Sequence, residues 1–250
     1  MKKVLVIGDS CIDEFRYGNC DRLCPEAPVP VFKTISGKRN YGMALNVYNN
    51  LKALGIECDI ITNDIKPTKT RYVDEVSNQM LLRVDINDSV EAIDDDILNN
   101  IDYDSYEAII ISDYDKGYLN IHDIMHISDN HPSIFMDSKK ELGGWCDDIK
   151  YIKINEKEAD RSHDYLTTGY KNNLIITSGN KGARLRFERF PIETEHAIRD
   201  LSGAGDTFIA ALVAEFIKSN DIRSAIAFAN RCAAWVVSQK GVVVVDTNKI

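Results

Sequence analysis

Arg199-Asp200-Leu201-Ser202-Gly203-Ala204-Gly205-Asp206-Thr207 runs straight into Phe208-Ile209-Ala210-Ala211-Leu212-Val213-Ala214-Glu215-Phe216-Ile217-Lys218-Ser219. The second half is rich in Ala and Leu, lacks Gly and Pro, and is apolar on most sides, which predicts a largely buried helix. The first half is a small-residue turn feeding that helix. Gly203 and Gly205 can take backbone angles closed to other residues, so successive N–H groups can converge on one spot. A helix N-terminus adds unpaired N–H donors and the positive end of its dipole, so the turn invites an anion. Asp206 stands out there, because a carboxylate repels the anion that the turn attracts. Two readings remain open on these residues alone. Asp206 caps the helix, as Asp often does, or it faces a hydroxyl that attacks the bound anion.

Working outward, a series of short apolar runs ends on polar or Gly residues. Ala108-Ile109-Ile110-Ile111-Ser112 leads to Asp113-Tyr114-Asp115-Lys116-Gly117, and Ile134-Phe135-Met136 leads to Asp137-Ser138-Lys139. Tyr151-Ile152-Lys153-Ile154 leads to Asn155-Glu156-Lys157-Glu158, and Leu174-Ile175-Ile176-Thr177 leads to Ser178-Gly179. That rhythm predicts parallel strands with a ligand edge at their carboxyl ends. Val4-Leu5-Val6-Ile7 before Gly8-Asp9 reads as a buried first strand, with Asp13 near the same edge. This run turns polar too soon for a signal peptide or a membrane span. Helices are expected over Gly42–Gly55, Asp94–Ile101, Ile121–Asp129 and Ile222–Gln239, and a strand over Ile56–Thr62.

Pro25-Glu26-Ala27-Pro28-Val29-Pro30-Val31-Phe32 is the densest proline segment, and Pro30 suggests an edge strand or a strand entry. Thr70–Val73 and Gln79–Asp85 read as a hairpin turning around Ser77-Asn78. Segments at about 11–36 and 68–86 would thus form a small sheet standing off the main domain, as a lid, a dimer contact or both. The expected architecture is a single α/β domain over 1–250 with this lid.

At 250 residues, 44% hydrophobic and 28% charged, the chain has ample length for a core. A formal charge of −9 argues against nucleic acid or an anionic membrane as the main partner. The six cysteines show no zinc or redox spacing and are expected as reduced thiols in a cytoplasmic protein. Neither common phosphate motif is present: Gly37-Lys38 lacks the upstream Gly of a P-loop, and Gly203-Ala204-Gly205 lacks the third Gly of a dinucleotide fingerprint.

Asp200-Leu201-Ser202-Gly203-Ala204-Gly205-Asp206-Thr207 resembles the second signature of the ribokinase-like (PfkB) carbohydrate kinases. Within that family the N-terminal half is similar to the heptose-7-phosphate kinases of ADP-heptose synthesis. The carrying residues are Gly8-Asp9 with Asp13, Arg22 with Pro25–Val31, Lys69-Thr70-Arg71, and Gln79 with Leu82-Arg83-Val84-Asp85. Ser112-Asp113-Tyr114 with Lys116-Gly117, and Asp137 with Lys139, complete the match, which spans Val4 to Gly241.

The resemblance implies a ribokinase-like three-layer sandwich and ATP-dependent phosphorylation of a sugar or sugar phosphate. It implies Asp206 as the base and Gly203, Ala204 and Gly205 as the anion hole. Asp13, Gly42 and Asn46 would line the sugar site, with Asp113 also on the substrate side. Asn155 and Glu158 would organise Mg2+ and the nucleotide phosphates through water, and Thr177, Gly179 and Gly182 would run along the ATP phosphates. Asn230 would border the adenosine, and Asp200 would help hold a monovalent cation such as K+. Arg71, Arg83, Lys116 and Lys139 are candidates for grasping a phosphate already on the sugar. A homodimer through the lid strands is the family's habit. Two departures bear on the sugar: Met43 follows Gly42 where the family usually has a second glycine, and Ser138 replaces a usual proline. The rival expectations are a kinase for another furanose or hexose, and a sugar- or nucleotide-binding regulator without turnover.

Overall fold

The computed structural model describes residues 3–167, 172–193 and 197–250. Its elements in chain order begin with β1 (Lys3–Gly8), β2 (Ser10–Asn19), β3 (Lys33–Met43), α1 (Ala44–Ala53), β4 (Cys58–Thr62), β5 (Thr68–Asp74) and β6 (Met80–Ile86). Next come α2 (Asp95–Asn99), β7 (Tyr106–Asp113), α3 (Ile121–Asn130), β8 (Ile134–Ser138), β9 (Tyr151–Asn155), α4 (Glu156–Arg161) and α5 (His163–Thr167). The last are β10 (Leu174–Thr177), β11 (Ala183–Leu185), β12 (Glu188–Phe190), α6 (Ala204–Ser219) and α7 (Ile222–Val237).

A main sheet has the order β12-β11-β10-β9-β8-β7-β1-β4. The run from β10 to β4 is parallel, and β11 and β12 add an antiparallel hairpin at one edge. The apolar runs are continuous because these strands are covered on both faces. Val4 and Val6 of β1 meet α1, α6 and α7 on one side, while Leu5 and Ile7 join Ile124 and Ile127 of α3 on the other. The ribokinase-like layering is therefore helix, sheet, helix. Gly8 is required at the end of β1: its φ is 150°, and a Cβ there would stand 1.9 Å from the Ser112 carbonyl oxygen of β7.

The second sheet has the order β3-β2-β5-β6. Its register sorts the residues between its faces. One face carries the row Asn40–Asp13–Lys69–Asp85 and, beside it, Lys38–Phe15–Arg71–Arg83. The opposite face carries Tyr41–Ile12–Thr68–Ile86. A slip of one residue would exchange the charged row for the apolar one.

Several boundaries differ from the sequence reading. The proline segment is an entry and not a strand, with a single bridge between Leu23 and Pro30, and β3 starts at Lys33. β3 then runs on to Met43, where a helix was expected from Gly42, so α1 starts at Ala44. Lys33–Met43 has no apolar alternation and is largely exposed, so it owes its strand state to the ladder with β2. The β11–β12 hairpin turns through Arg186 at φ 56° without the Gly or Asn that would have announced it.

Candidate active site

The expected sites converge where the parallel strands end against the head of α6. Gly203 precedes that helix in the left-handed region (φ 81°), and a Cβ on it would lie 2.7 Å from the Asn46 amide nitrogen. A Cβ on Gly205 would lie 2.9 Å from the Lys153 ammonium. Gly203 is held to glycine by its backbone, while a side chain at Gly205 would have to displace the Lys153 ammonium. The first-turn N–H groups have no carbonyl of their own helix to bond.

Asp206 sits one turn in and is 3% exposed. One carboxylate oxygen accepts from the Tyr114 hydroxyl at 2.6 Å and the other from the Asn46 amide at 3.0 Å. Its hydrogen bonds therefore go to α1 and to the loop after β7, and the capping reading is excluded. Burial pushes this carboxyl up to about 6. The two hydrogen bonds and Lys153 pull it back, and Asp137 adds to the rise.

Beside the turn lies a chain of charges. Lys153 bonds Asp137 at 2.6 Å, with both side chains buried. Lys139 bridges the other Asp137 oxygen at 3.3 Å and Glu158 at 2.7 Å. Burial alone would raise the Asp137 carboxyl, yet the two ammonium groups hold it below the usual carboxylate range. The Asn155…Glu158 element is a capping box at the start of α4: Asn155 Oδ1 accepts from the Glu158 N–H at 3.0 Å, and Glu158 Oε2 accepts from the Asn155 N–H at 2.8 Å.

On the other flank of the turn opens a cavity of about 430 Å³, lined by Thr177, Gly179, Gly182, Ala204, Gly205 and Asn230 among others. It brings together every residue expected along the nucleotide from β10 to α7. Gly182 is again required, since a Cβ at its φ of 84° would strike the Phe190 carbonyl oxygen at 2.1 Å. Asn230 donates to that same carbonyl at 2.7 Å. A smaller hollow of about 300 Å³ lies between β3, Asn46 and the segment Val242–Val244.

On the sheet face with the charged row, Asp13 pairs with Arg71. A Cβ on Gly42 would fall 2.1 Å from Asp13 Oδ2, so this glycine gives the carboxylate its place. Arg83 is taken by Asp85 at 2.6 Å and Lys116 by Asp88 at 2.6 Å, both towards solvent. Asp113 does not reach a substrate wall. It is fully buried and bonds Ser138, Lys140 and the Asp115 N–H, which makes it an anchor behind the site. Asp200 accepts from the Ser202 and Gly241 N–H groups and ties the turn to the C-terminal segment. Asp206 and Asp13 are both covered, and neither is among the residues that line these two hollows.

Three residues were not singled out in advance. Tyr114 bonds the central carboxylate. Lys153 was signalled by a charge inside an apolar strand. Lys69, 8% exposed, has its ammonium 4.0 Å from the Met43 sulfur and 5.6 Å from the Tyr114 ring centroid. Met43 itself is 2% exposed and takes φ 61°, ψ −134°, a region that side chains avoid.

No group of three or more His, Cys, Asp or Glu side chains among the described residues could hold a metal ion. Glu158, expected to act on such an ion through water, is 4% exposed, and its two carboxylate oxygens are taken by the Lys139 ammonium and the Asn155 N–H.

Comparison with known proteins agrees with the fold. The family model described as pfkB family carbohydrate kinase matches residues 49–248. The bifunctional protein HldE of a Nitratiruptor species is 30% identical over 288 residues, covering 96% of this chain and 62% of that protein. HldE of Helicobacter hepaticus is 31% identical, covering 99% of this chain and 63% of its own length. The chain thus spans less than two thirds of these curated relatives. Among solved structures, ribokinase from Thermotoga maritima superposes with a TM-score of 0.73 at 16% identity, over 98% of this chain and 97% of that one. Phosphofructokinase-2 from Escherichia coli, in complex with potassium, gives 0.72 at 13% identity, over 100% and 98%.

Proposed function

We propose that this chain, which belongs to the pfkB family of carbohydrate kinases, transfers the γ-phosphoryl group of ATP to a hydroxyl of a sugar phosphate, with a heptose 7-phosphate as the sharpest candidate. The observation that carries this reading is the shared turn. Ala204 and Gly205, at the head of α6, line the 430 Å³ cavity, and the next residue is the buried Asp206.

In this reading ATP lies in the cavity with its adenosine toward Asn230 and its phosphates toward Thr177, Gly179 and the head of α6. Asp206 accepts the proton of the acceptor hydroxyl while that oxygen bonds to phosphorus and the bridging P–O bond breaks, releasing ADP. Backbone donors neutralise the equatorial oxygens without reorganising. Lys153, buried 2.9 Å from the Gly205 Cβ position, adds positive charge beside them. Magnesium would come with the nucleotide and offset its phosphate charge. A monovalent cation would sit behind the turn near Asp200. Asp206 is covered by Tyr114 and Asn46, so the acceptor needs an approach to it that the closed site does not offer.

Lys69, whose ammonium stands 5.6 Å from the Tyr114 ring centroid, supports an anionic acceptor, whereas the Arg71 guanidinium is already engaged by Asp13. Lys139 adds less to it, because Asp137 and Glu158 already engage its ammonium group. Met43 favours a second reading, a kinase for another furanose or hexose, because its buried side chain narrows the space beside Lys69. The exposed apolar row of the second sheet, with Tyr41, Leu82 and Ile86, supports a homodimer through that face, which light scattering tests. ADP release measured over a panel of sugars and sugar phosphates tests the activity. The account expects turnover with a phosphorylated heptose; turnover with neutral hexoses alone favours the second reading, and none with any acceptor refutes both.

A further inference from the structure

We propose that Tyr114 is a positioning residue for Asp206: its hydroxyl, opposed by Asn46 on the other oxygen, fixes the carboxylate and keeps it ionised, and Asp9 holds the loop that delivers it. The catalytic part of this claim rests on Asp206 being the base.

The Tyr114 hydroxyl lies 2.6 Å from Asp206 Oδ1, a charge-assisted hydrogen bond in a site closed to water. Burial, and then the charge of Asp206, push the phenol well above its ordinary range, so the proton stays on the tyrosine and the tyrosine is the donor. The residue is anchored from several sides. Asp9, fully buried at the end of β1, accepts from the Tyr114 N–H at 2.6 Å and from the Tyr118 N–H at 3.3 Å. Asp113 accepts from the next N–H at 3.0 Å. The Lys69 and Lys139 ammonium groups stand 5.6 and 5.0 Å from the ring centroid, an arrangement that favours one ring orientation. The backbone of the loop is thus held by two buried carboxylates and the Tyr114 ring by two ammonium groups.

The other groups facing Asp206 do not substitute for it. Asn46 from α1 occupies the second oxygen. Asp137 from β8 and Lys153 from β9 carry opposite charges and are paired with each other. Cys11 from β2 is kept neutral, because burial raises its thiol. The Tyr114 hydroxyl, like the Asn46 amide, can be deleted without adding or removing a charge.

The test is the titration of the Asp206 carboxyl by ¹³C NMR on aspartate-labelled protein, its signal assigned by its loss in Asp206→Asn. The parent should titrate near 6. In Tyr114→Phe the midpoint should rise by about one pH unit, as loss of a hydrogen bond to a charged group implies. Asp9→Asn, which loosens the loop, should move it the same way by less. The acid limb of kcat/KM should rise with the midpoint in Tyr114→Phe. An unmoved midpoint in Tyr114→Phe overturns the proposal, and an unmoved one in Asp9→Asn overturns the part given to Asp9. A raised midpoint with an unmoved acid limb upholds the positioning of Asp206 and refutes its role as base.

Discussion

Replacing Asp206 by Asn should make the protein more stable at neutral pH. The carboxyl ordinarily titrates near 3.8 and is raised to about 6 in the fold, burial being the main cause. Above pH 6 the side chain is charged both folded and unfolded, and the folded state bears a penalty of about 3 kcal/mol for holding that charge. Below pH 4 both states are protonated and the penalty is gone. The sign follows: the parent loses stability from this group as pH rises from 4 to 6. Asn has the shape of the protonated acid and carries no charge, but its amide presents one acceptor oxygen where Tyr114 and Asn46 use two. Allowing about 1 kcal/mol for that mismatch leaves a gain of about 2 kcal/mol at pH 7.5. For a chain of this size the gain is about 4–8 °C in Tm. Urea unfolding of both proteins at pH 7.5 and 4.5 measures it, since other titrations cancel in the difference. A variant no more stable at pH 7.5, or a difference that does not shrink at pH 4.5, would refute the claim that the carboxylate is held charged against its surroundings.

The same geometry sets further outcomes. Lys153→Met leaves buried Asp137 with Lys139 as its remaining ion pair, and should cost about 3–5 kcal/mol in denaturant unfolding. Gly205→Ala keeps the backbone N–H but puts a methyl group 2.9 Å from the Lys153 ammonium, which must shift; kcat measured by ADP release should fall because that charge is displaced from the turn. Met43→Gly should be more stable than Met43→Ala by about 1 kcal/mol, because glycine escapes the strain of φ 61° that alanine keeps. Urea titrations that rank alanine above glycine would show that the position is unstrained.

The sequence carried the main sheet well, because parallel strands buried on both faces leave unbroken apolar runs such as Ala108–Ile111, each closed by polar residues. The glycine turn was legible for a similar reason, since Gly203 takes a left-handed backbone and Gly205 lies close against the Lys153 ammonium. The second sheet was only half legible. β3 is polar and exposed, and its pairing partner, not its own pattern, makes it a strand. Of the expected site residues, Thr177, Gly179, Gly182, Ala204, Gly205 and Asn230 stand around one cavity, while charges such as Arg83 and Lys116 are engaged by partners the sequence did not reveal. Asp113 looked like a substrate ligand until Lys140 was seen to claim it, and Tyr114 looked like loop until it met Asp206 across the sheet edge. Met43 could be flagged as a departure, but only the backbone angles reveal that it occupies a glycine's conformation.

The most direct test of the central claim is a single-turnover measurement of phosphoryl transfer by Asp206→Asn with ATP saturating and the acceptor in excess. If Asp206 takes the acceptor's proton, transfer should slow by about 10²–10⁴-fold, while the affinity for ATP, bound on the other flank of the turn, stays within about twofold of the parent. Transfer at close to the parent rate, with the variant folded and ATP bound, would contradict it.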